Sequence, residues 1–525
     1  MARLGVDYGT TNTVAVCSDR GRYPIVPHVT ETSVGAVSRE MFPSLLVYDR
    51  EEKKFLFGAD GERVLGRPGA EARYGILRSL KRMIRDYADG MRTGSDAVPG
   101  GIDAASALRQ FLEALRGSIQ RCGLFPAGDP LQTVVTWPAN ANGAQRHLTR
   151  RCFREAGFNV VDALSEPSAA AIEFADRMAH GNRIEARKLR MSIGIFDLGG
   201  GTFDTSIVRI EGTDFTVLAS SGIERLGGDD FDETLARLFA AQLKLEFDAL
   251  RPFQRQMLLM HARQQKESIS EGALRSLTLA PDDLGLPGEL CRVAVASYFK
   301  ELTRMLEPAV EKLWELVCGH APAGAGPGRG GLDAVYLVGG SARLPLVPAL
   351  IARRFPAVRL IMTDKPFSST AMGAAIHTTE NVQLHDVLSR TFGVLRLTAQ
   401  GTREYFSPVF PAGMRLPKRG APPVRKEIEY TPRHNIGHLR YLECAGVDNA
   451  GNPSEGLRNW SDVLFPYDTA LSVGAALKPD QIVAREDLAD QPVREMYTCD
   501  SDGVITVGIQ RLRDGQRGTY EVFLR

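Results

Sequence analysis

The sequence predicts an α/β domain built from two similar halves, followed by an all-β domain. Two observations carry this. The first is a doubled pattern: LGVDYGTTNTVAV at residues 4–16 and GIFDLGGGTFDTSIV at residues 194–208 are each an apolar run ending in Asp, a Gly- and Thr-rich turn, and a second apolar run. The second is a change of texture. Strand-like and helix-like stretches alternate to about Thr379, and beyond it helical periodicity almost vanishes. A length of 525 residues agrees with more than one domain, because single cores stop growing at roughly 250–300 residues.

Taken in order, residues 3–6 are the first strand and 13–16 the strand after its turn. Residues 134–137 read as a strand, 145–156 as a helix and 160–164 as a strand. Pro167 then opens an Ala-rich helix at 168–178, where its missing N–H costs nothing because the first turn has no helical acceptor. Residues 205–209 continue after the second turn, and 231–247 and 299–318 read as helices. In the last of these Leu302, Met305, Leu306, Leu313, Leu316 and Val317 recur at helical spacing, and Pro308 is expected to kink it. Residues 90–101 and 321–331 read as loops too short to be domain linkers. Beyond Thr379, residues 392–397, 437–444, 470–477, 494–499, 504–510 and 520–524 read as strands. DSDG at 500–503 turns between two of them and makes that pair a hairpin.

A net charge of +1 supplies no electrostatic footprint for nucleic acid, and the cluster Arg150, Arg151 and Arg154 reads as a solvated face. Seven irregularly spaced cysteines without a CxxC pair point to reduced thiols and away from a zinc site. The first strand begins too early to leave room for a signal peptide, and no apolar run approaches the roughly 18–20 residues of a membrane span. A soluble, cytoplasmic protein with no membrane partner is expected.

The doubled turn has its own chemistry. Gly9 on one copy and Gly199, Gly200 and Gly201 on the other let backbone N–H groups approach phosphate oxygens. Thr10, Thr11 and Thr202 add hydroxyl donors, and Asp7 and Asp197 can hold Mg²⁺ directly or through water. A strand follows each turn, so these are hairpins and not Walker loops, where a helix and a Lys-Ser/Thr pair follow. Two copies imply two half-domains facing each other with phosphates clamped between them. A third turn, in AVYLVGGSARLP at residues 334–345, supplies Gly339 and Gly340, against which a flat base can pack, and Arg343, which can stack on it.

In this order and spacing the three turns resemble the nucleotide-binding domain of the seventy-kilodalton heat-shock (DnaK-type) chaperones, of the actin and sugar-kinase superfamily. SLKRMI at 79–84 is similar to the family segment with its catalytic Lys, here Lys81. VVTWPANANGAQR at 134–146 resembles the stretch with the switch Pro and its Arg partner, here Pro138 and Arg146. LSEPSAAA at 164–171 places Glu166 at the family's active-site Glu, and LGGDDFD at 226–232 matches a further family run. The resemblance is strong over residues 3–379. It continues at 494–524, which looks like the last strands of the family's β-sandwich, and at Pro417, Lys418 and Arg419, which resemble a turn of it. Between these anchors, residues 420–490 do not align with the family.

The resemblance implies an actin-like (ribonuclease H-like) two-lobed ATPase domain at residues 1–380, a linker at 381–387 and a β-sandwich substrate-binding-like domain at 388–525. It implies slow, partner-stimulated hydrolysis of ATP to ADP and phosphate, with Mg²⁺ and K⁺ as ions. Lys81 would orient the attacking water. Asp7, Asp197 and Asp204 would organise Mg²⁺, mostly through water, with Thr202 and Glu166 at the same centre. Lys266, Ser270, Gly339, Gly340 and Arg343 would hold the adenosine, and Pro138 and Arg146 would couple the nucleotide state to the outer domain. Implied partners are an unfolded or extended peptide and a nucleotide-exchange factor.

Several positions depart from the family. Arg263 stands where it carries an acid, and Phe367 where it carries an Asp, so weaker base or ribose contacts are expected. The linker run Asn381, Val382, Gln383, Leu384, His385, Asp386 has Gln and His at two apolar positions, each losing roughly 1.5–3 kcal/mol of burial. Asp162 replaces an Arg that meets J-domain co-chaperones, so the usual partner of that kind is not expected. The chain ends where the family's helical lid would begin, so fast, weak peptide binding is expected. The leading expectation is an ATP-hydrolysing, lidless chaperone-like protein. The alternative is a nucleotide-switched interaction module that binds one folded partner. A sugar kinase or filament-forming actin relative fits less well, since those lack the form of residues 226–232 and such a β domain.

Overall fold

The computed structural model describes residues 2–521 apart from 33–34, 66–69, 79, 89–97, 127, 140, 180–181, 272–273, 286, 321–330, 380–381, 398–403, 419, 449–450, 455–456 and 489. Most of the two loops expected at 90–101 and 321–331, Asn381 of the linker, Arg419 of the sandwich turn and the end of the last strand at 522–524 therefore lie outside the described residues. The chain divides into two compact units, one of Met1–Met83, Gly94–Ala139 and Cys152–Gln383, the other of Ile84–Thr93, Asn140–Arg151 and Leu384–Arg525.

The first unit holds two sheets built alike. In one, strand Ala2–Tyr8 pairs antiparallel with Asn12–Cys17 and parallel with Leu131–Trp137, which pairs in turn with Asn159–Ser165. In the other, Arg190–Leu198 pairs antiparallel with Phe203–Glu211 and parallel with Ala334–Val338, and Asp214–Ile223 and Arg359–Met362 extend it. Each doubled sequence pattern is thus a central hairpin of its own sheet. The core strands are apolar on both faces, as strands covered on both sides must be.

Two helices of small residues join the halves. Glu166–Met178 is capped by Ser165, whose hydroxyl accepts from Ser168 N, and has Pro167 in its first turn. It crosses Ser369–His377 so closely that a Cβ at Gly373 would collide with the carbonyl of Ala169. Gly5 likewise leaves no space for a Cβ beneath Ala371 and Ala375. The Ala and Gly content of these segments follows from backbones that touch.

Two sequence expectations for helices change. The helix expected at 231–247 is Gly228–Gln242. It stops because Lys244 takes a left-handed conformation at φ 57° and Leu245 N–H bonds Ala240 O, the geometry of a helix C-terminus. The helix around Pro308 is longer than expected, Val295–His320, and Pro308 does not interrupt it.

The second unit contains two four-stranded antiparallel sheets. One runs Glu404–Phe410, Thr391–Leu397, Ile436–Cys444, Arg458–Pro466, and the other Val424–Tyr430, Val493–Cys499, Ile505–Arg511, Arg517–Glu521. The expected hairpin is present: Asp500 Oδ1 accepts from Asp502 N and Val504 N, and Gly503 N–H closes on Asp500 O. The strand expected at 470–477 is absent. That segment turns at Asp468–Leu471 and Ser472–Ala475, with Gly474 at φ 95°. Three strands of these two sheets were not anticipated. Val424–Tyr430 carries charged residues at 425–427 and 429, and Glu404–Phe410 contains Pro408, seated at a register shift opposite Gly393 where a missing donor is tolerated. Arg458–Pro466, the third, shifts register opposite Tyr441 and Leu442. No described helix is long and apolar enough to cross a membrane.

Candidate functional site

Asp7 and Asp197 each stand one residue before the end of a central strand. In the hairpin registers Asp7 faces Val14, whereas Asp197 faces Asp204, so the second half carries an acid that the first lacks. The turns are tightly held. Gly199 N–H bonds Thr202 O at 3.1 Å, and Ser44 Oγ donates to Gly9 O at 2.8 Å. The two turns also meet each other. A Cβ on Gly200 would strike the Thr11 side chain, and one on Gly201 would lie 2.5 Å from Thr10 Cγ2. Glycine is required here by the approach of the two walls as well as by any ligand.

Between them lies a cleft lined by Asp7, Gly9, Thr10, Thr11, Gly199, Gly200 and Thr202. Lys81, Glu166 and Asp197 line its floor. Lys81 Nζ donates to Glu166 Oε1 at 2.6 Å, and Thr136 Oγ1 donates to Asp7 Oδ1 at 3.0 Å. The charges are unbalanced, with Asp7, Glu166, Asp197 and Asp204 around one ammonium. Burial lifts the Glu166 carboxyl to about 7, against the pull of Lys81. Burial, then Glu166, Asp204 and Asp7, holds Asp197 well above the usual carboxylate range. Burial also raises Asp7, with Lys81 and Thr136 opposing. For Lys81 burial disfavours the charge, but Glu166 and Asp7 outweigh it and its pKa is raised. Uncompensated buried negative charge of this kind fits a hydrated cation. Among the described residues no group of three or more His, Cys, Asp or Glu is placed to ligate a metal directly.

The far side of the cleft contains Lys266, Ser270, Gly339 and Gly340. Lys266 Nζ donates to Gly228 O at 2.8 Å and pairs with Asp232 at 2.7 Å. Gly339 is left-handed at φ 85°, and a Cβ there would lie 2.7 Å from Asp197 Oδ1, so only glycine passes beneath that carboxylate. Of the residues predicted to hold nucleotide or metal, three stand outside the lining. Gly201 accepts from Arg82 through its carbonyl, at 2.6 Å from Nη2. Asp204 is buried opposite Asp197. Arg343 is exposed in an adjoining cavity. Pro138 is buried after strand Leu131–Trp137 in the first unit. Arg146 belongs to the second unit, where Nε donates to Ala141 O and Nη1 to Asp502 O, both at 2.9 Å. Asp162 is engaged by His377 at 3.0 Å.

Sequence reasoning did not single out Asp229 or Ser341. Asp229 N–H bonds Gly200 O at 2.7 Å, and Ser341 Oγ donates to Gly199 O at 2.8 Å. Both brace the second turn from behind, and their adjacency to the Gly pairs at 227–228 and 339–340 was the available signal.

Twin sheets with facing Asp-Gly hairpins define an actin-like (ribonuclease H-like) two-lobed domain, followed here by a β-sandwich. Residues 127–404 match the family model described as Hsp70 protein. The chain belongs to the Hsp70 family. Proteins described as HscA chaperone homologues are similar to it. One from Acidithiobacillus ferrooxidans is 30% identical over 416 residues, covering 74% of this chain and 61% of the relative. One from Pseudomonas aeruginosa is 30% identical over 388 residues, and one from Bordetella petrii 31% identical over 394, each covering 71% of this chain and 57% of the relative. The chain thus spans about three fifths of the length of these relatives.

Proposed function

We propose that the chain binds ATP with Mg²⁺ in the cleft of the first unit, hydrolyses it slowly, and uses the nucleotide state to control binding of extended peptide by the β unit. The observation that carries this is the buried Lys81–Glu166 pair set among Asp7, Asp197 and Asp204 at the meeting point of the two glycine turns. Family membership and the description of the relatives as chaperones support it.

In this reading Gly9, Thr10 and Thr11 bind the phosphates from one wall, and Gly199, Gly200, Gly201 and Thr202 from the other. Mg²⁺ supplies charge neutralisation to the phosphates when bound, and Asp7, Asp197 and Asp204 orient its waters. Lys81 positions the attacking water and offsets developing charge. Phosphoryl transfer asks little more of a protein than such positioning and electrostatics. Lys266, Ser270, Gly339, Gly340 and Arg343 take the adenosine, K⁺ accompanies the phosphates, and Pro138 and Arg146 relay the state of the site. We assign residues 1–380 to the nucleotide domain, 381–387 to the linker and 388–525 to the substrate domain. The division of the chain between Gln383 and Leu384 supports the boundary near the linker, while Ile84–Thr93 and Asn140–Arg151, inside residues 1–380, group with the second unit.

Steady-state ATP turnover of the full chain and of Lys81→Ala, with and without an unfolded apolar peptide, tests the proposal. Turnover that is lost in the variant and stimulated by peptide is expected. Turnover unaffected by Lys81→Ala would sink the assignment of the site.

A second reading, docking of one folded partner, is favoured by Leu457 and Val483, exposed at 58% and 52%. Both lie in residues 420–490, the segment that does not align with the family. Failure to bind any apolar heptapeptide, with retained ATP turnover, would favour it over peptide binding.

A further inference from the structure

We propose that the cavity adjoining the cleft is an anion subsite that receives a phosphate carried on the ribose of the bound nucleotide. This rests on the nucleotide reading of the cleft and adds a substrate class to it.

The cavity, about 620 Å³, is lined by Arg39, Arg78, Arg263 and Arg343. It opens into the cleft, since Arg263, Ser270, Gly340 and Phe367 line both. Its acids are largely committed. Arg39 holds Glu62 at 2.6 Å and Arg263 holds Glu267 at 2.9 Å, leaving Arg78 and Arg343 against Glu40. Arg78 is the informative one. Its Nε is buried without a hydrogen-bond partner, and no ion pair reaches it among the described residues. Burial, then the neighbouring Arg263, pushes its pKa down, and Glu62, Asp229 and Asp232 act on it only at a distance.

A buried guanidinium Nε without an acceptor is costly, and the cost is removed by an anion that accepts two parallel N–H bonds from Nε and a neighbouring Nη. Phosphate fits that fork, and a 620 Å³ cavity has room for it. One acid, Glu267, lines both the cleft and the cavity, and it is held by Arg263. Arg263 and Phe367 occupy the positions where the family resemblance implies acids, the Phe367 ring packs against Gly340, and Asp232 is neutralised by Lys266 at 2.7 Å. A phosphate leaving the ribose of a nucleotide held by Lys266, Ser270 and Gly340 enters next to Arg263 and reaches Arg78.

Calorimetry on the full chain tests this with three probes: ADP, ADP bearing a 2′- or 3′-phosphate, and ADP titrated in the presence of inorganic phosphate. A ribose phosphate is expected to tighten binding at least about tenfold, the scale of one charge-assisted contact. Arg78→Met should abolish that gain and leave plain ADP within about twofold of its original affinity; Arg343→Gln, at an exposed position, should reduce the gain in part. If inorganic phosphate tightens ADP binding in the wild type but not in Arg78→Met, while a ribose phosphate adds nothing, the subsite stands and its occupant is a free anion. Equal or weaker binding of the ribose-phosphorylated nucleotide, with phosphate also without effect, overturns the subsite while leaving the cleft intact. A gain that survives Arg78→Met overturns it too. If ADP itself does not bind, the nucleotide reading fails and the subsite with it.

Discussion

Lys81 Nζ and Glu166 Oε1 lie 2.6 Å apart, with side chains only 10% and 8% exposed. The Lys opens the first turn of helix Leu80–Ala88, and the Glu is the first residue of helix Glu166–Met178. Two helix N-termini therefore deliver opposite charges to one buried point. An ammonium at a helix N-terminus is unfavourable by itself, so the carboxylates of the cleft must hold it there.

Removing that ammonium should separate chemistry from stability. Lys81→Ala leaves Asp7, Glu166 and Asp197 without their shared cation. Breaking one partner of a buried pair costs about 3–5 kcal/mol, and ATP turnover should fall at least about a hundredfold, the scale of a lost transition-state contact. The double variant Lys81→Met/Glu166→Gln should recover most of the stability and none of the turnover. Thermal unfolding and steady-state hydrolysis on both variants check this. A double variant no more stable than Lys81→Ala would show that the pair is not what the charge balance says.

A second buried carboxylate should make the first unit pH-sensitive. Tyr336 donates its hydroxyl to Glu173, tying the Ala-rich helix to strand Ala334–Val338. Burial foremost lifts Glu173 to about 7, while Tyr336 and Arg177 oppose. The folded state therefore keeps a proton that the unfolded chain releases near 4.5. The stabilisation is complete below that value and is lost as pH rises toward 7, by about 3 kcal/mol at most. Glu173→Gln should remove this component. Urea midpoints at pH 5 and pH 8 measure it, and parallel pH dependence in variant and wild type would refute the assignment.

How far the sequence revealed the molecule depended on whether the signal was local. The doubled Asp-Gly turn was legible because a strand, an acid and a tight turn are consecutive residues, and the DSDG hairpin for the same reason. Val424–Tyr430 was missed because its charged residues conceal the alternation, and Glu404–Phe410 because Pro408 sits within it at a bulge. Residues 470–477 misled because an apolar run with Gly474 at φ 95° makes turns. In the site Asp7, Glu166, Asp197, Asp204 and Lys81 could be named and Asp229 was not, and the Lys81–Glu166 contact joins residues 85 apart. The isolation of Arg78 depends on which neighbours are absent, and that information is tertiary.

The β unit holds an ionic centre that should dominate its stability. Glu495, fully buried, pairs with Arg396 at 2.5 Å and accepts from the Tyr430 hydroxyl at 2.5 Å and from Tyr497. Glu495→Ala would leave the guanidinium and both hydroxyls without their acceptor, costing about 3–5 kcal/mol. Arg396→Met/Glu495→Leu, which removes both charges, should cost less, because apolar replacement of a buried pair is often close to neutral. Chemical denaturation followed by Tyr fluorescence distinguishes the two. Equal losses would mean that packing, and not the pair, sets the cost.

The crossing at Gly373 should connect packing to chemistry. A Cβ there collides with the Ala169 carbonyl, and a backbone carbonyl cannot rotate aside as a flexible side chain can. Gly373→Ala must therefore push helices Ser369–His377 and Glu166–Met178 apart, at a cost of about 1–3 kcal/mol for overpacking. Glu166 begins the second of these helices, so the displacement reaches the Lys81 contact, where misplacement of about 1 Å can cost roughly a hundredfold in rate. Lower ATP turnover should accompany the loss of stability. Gly319→Ala is the control, because Gly319 lies in helix Val295–His320 with nothing within 4 Å of the added Cβ. It should leave turnover unchanged and raise stability by up to about 1 kcal/mol, the helix preference of Ala over Gly. If Gly373→Ala destabilises the unit and leaves turnover at the wild-type rate, the crossing is structural only and Glu166 is positioned by other contacts.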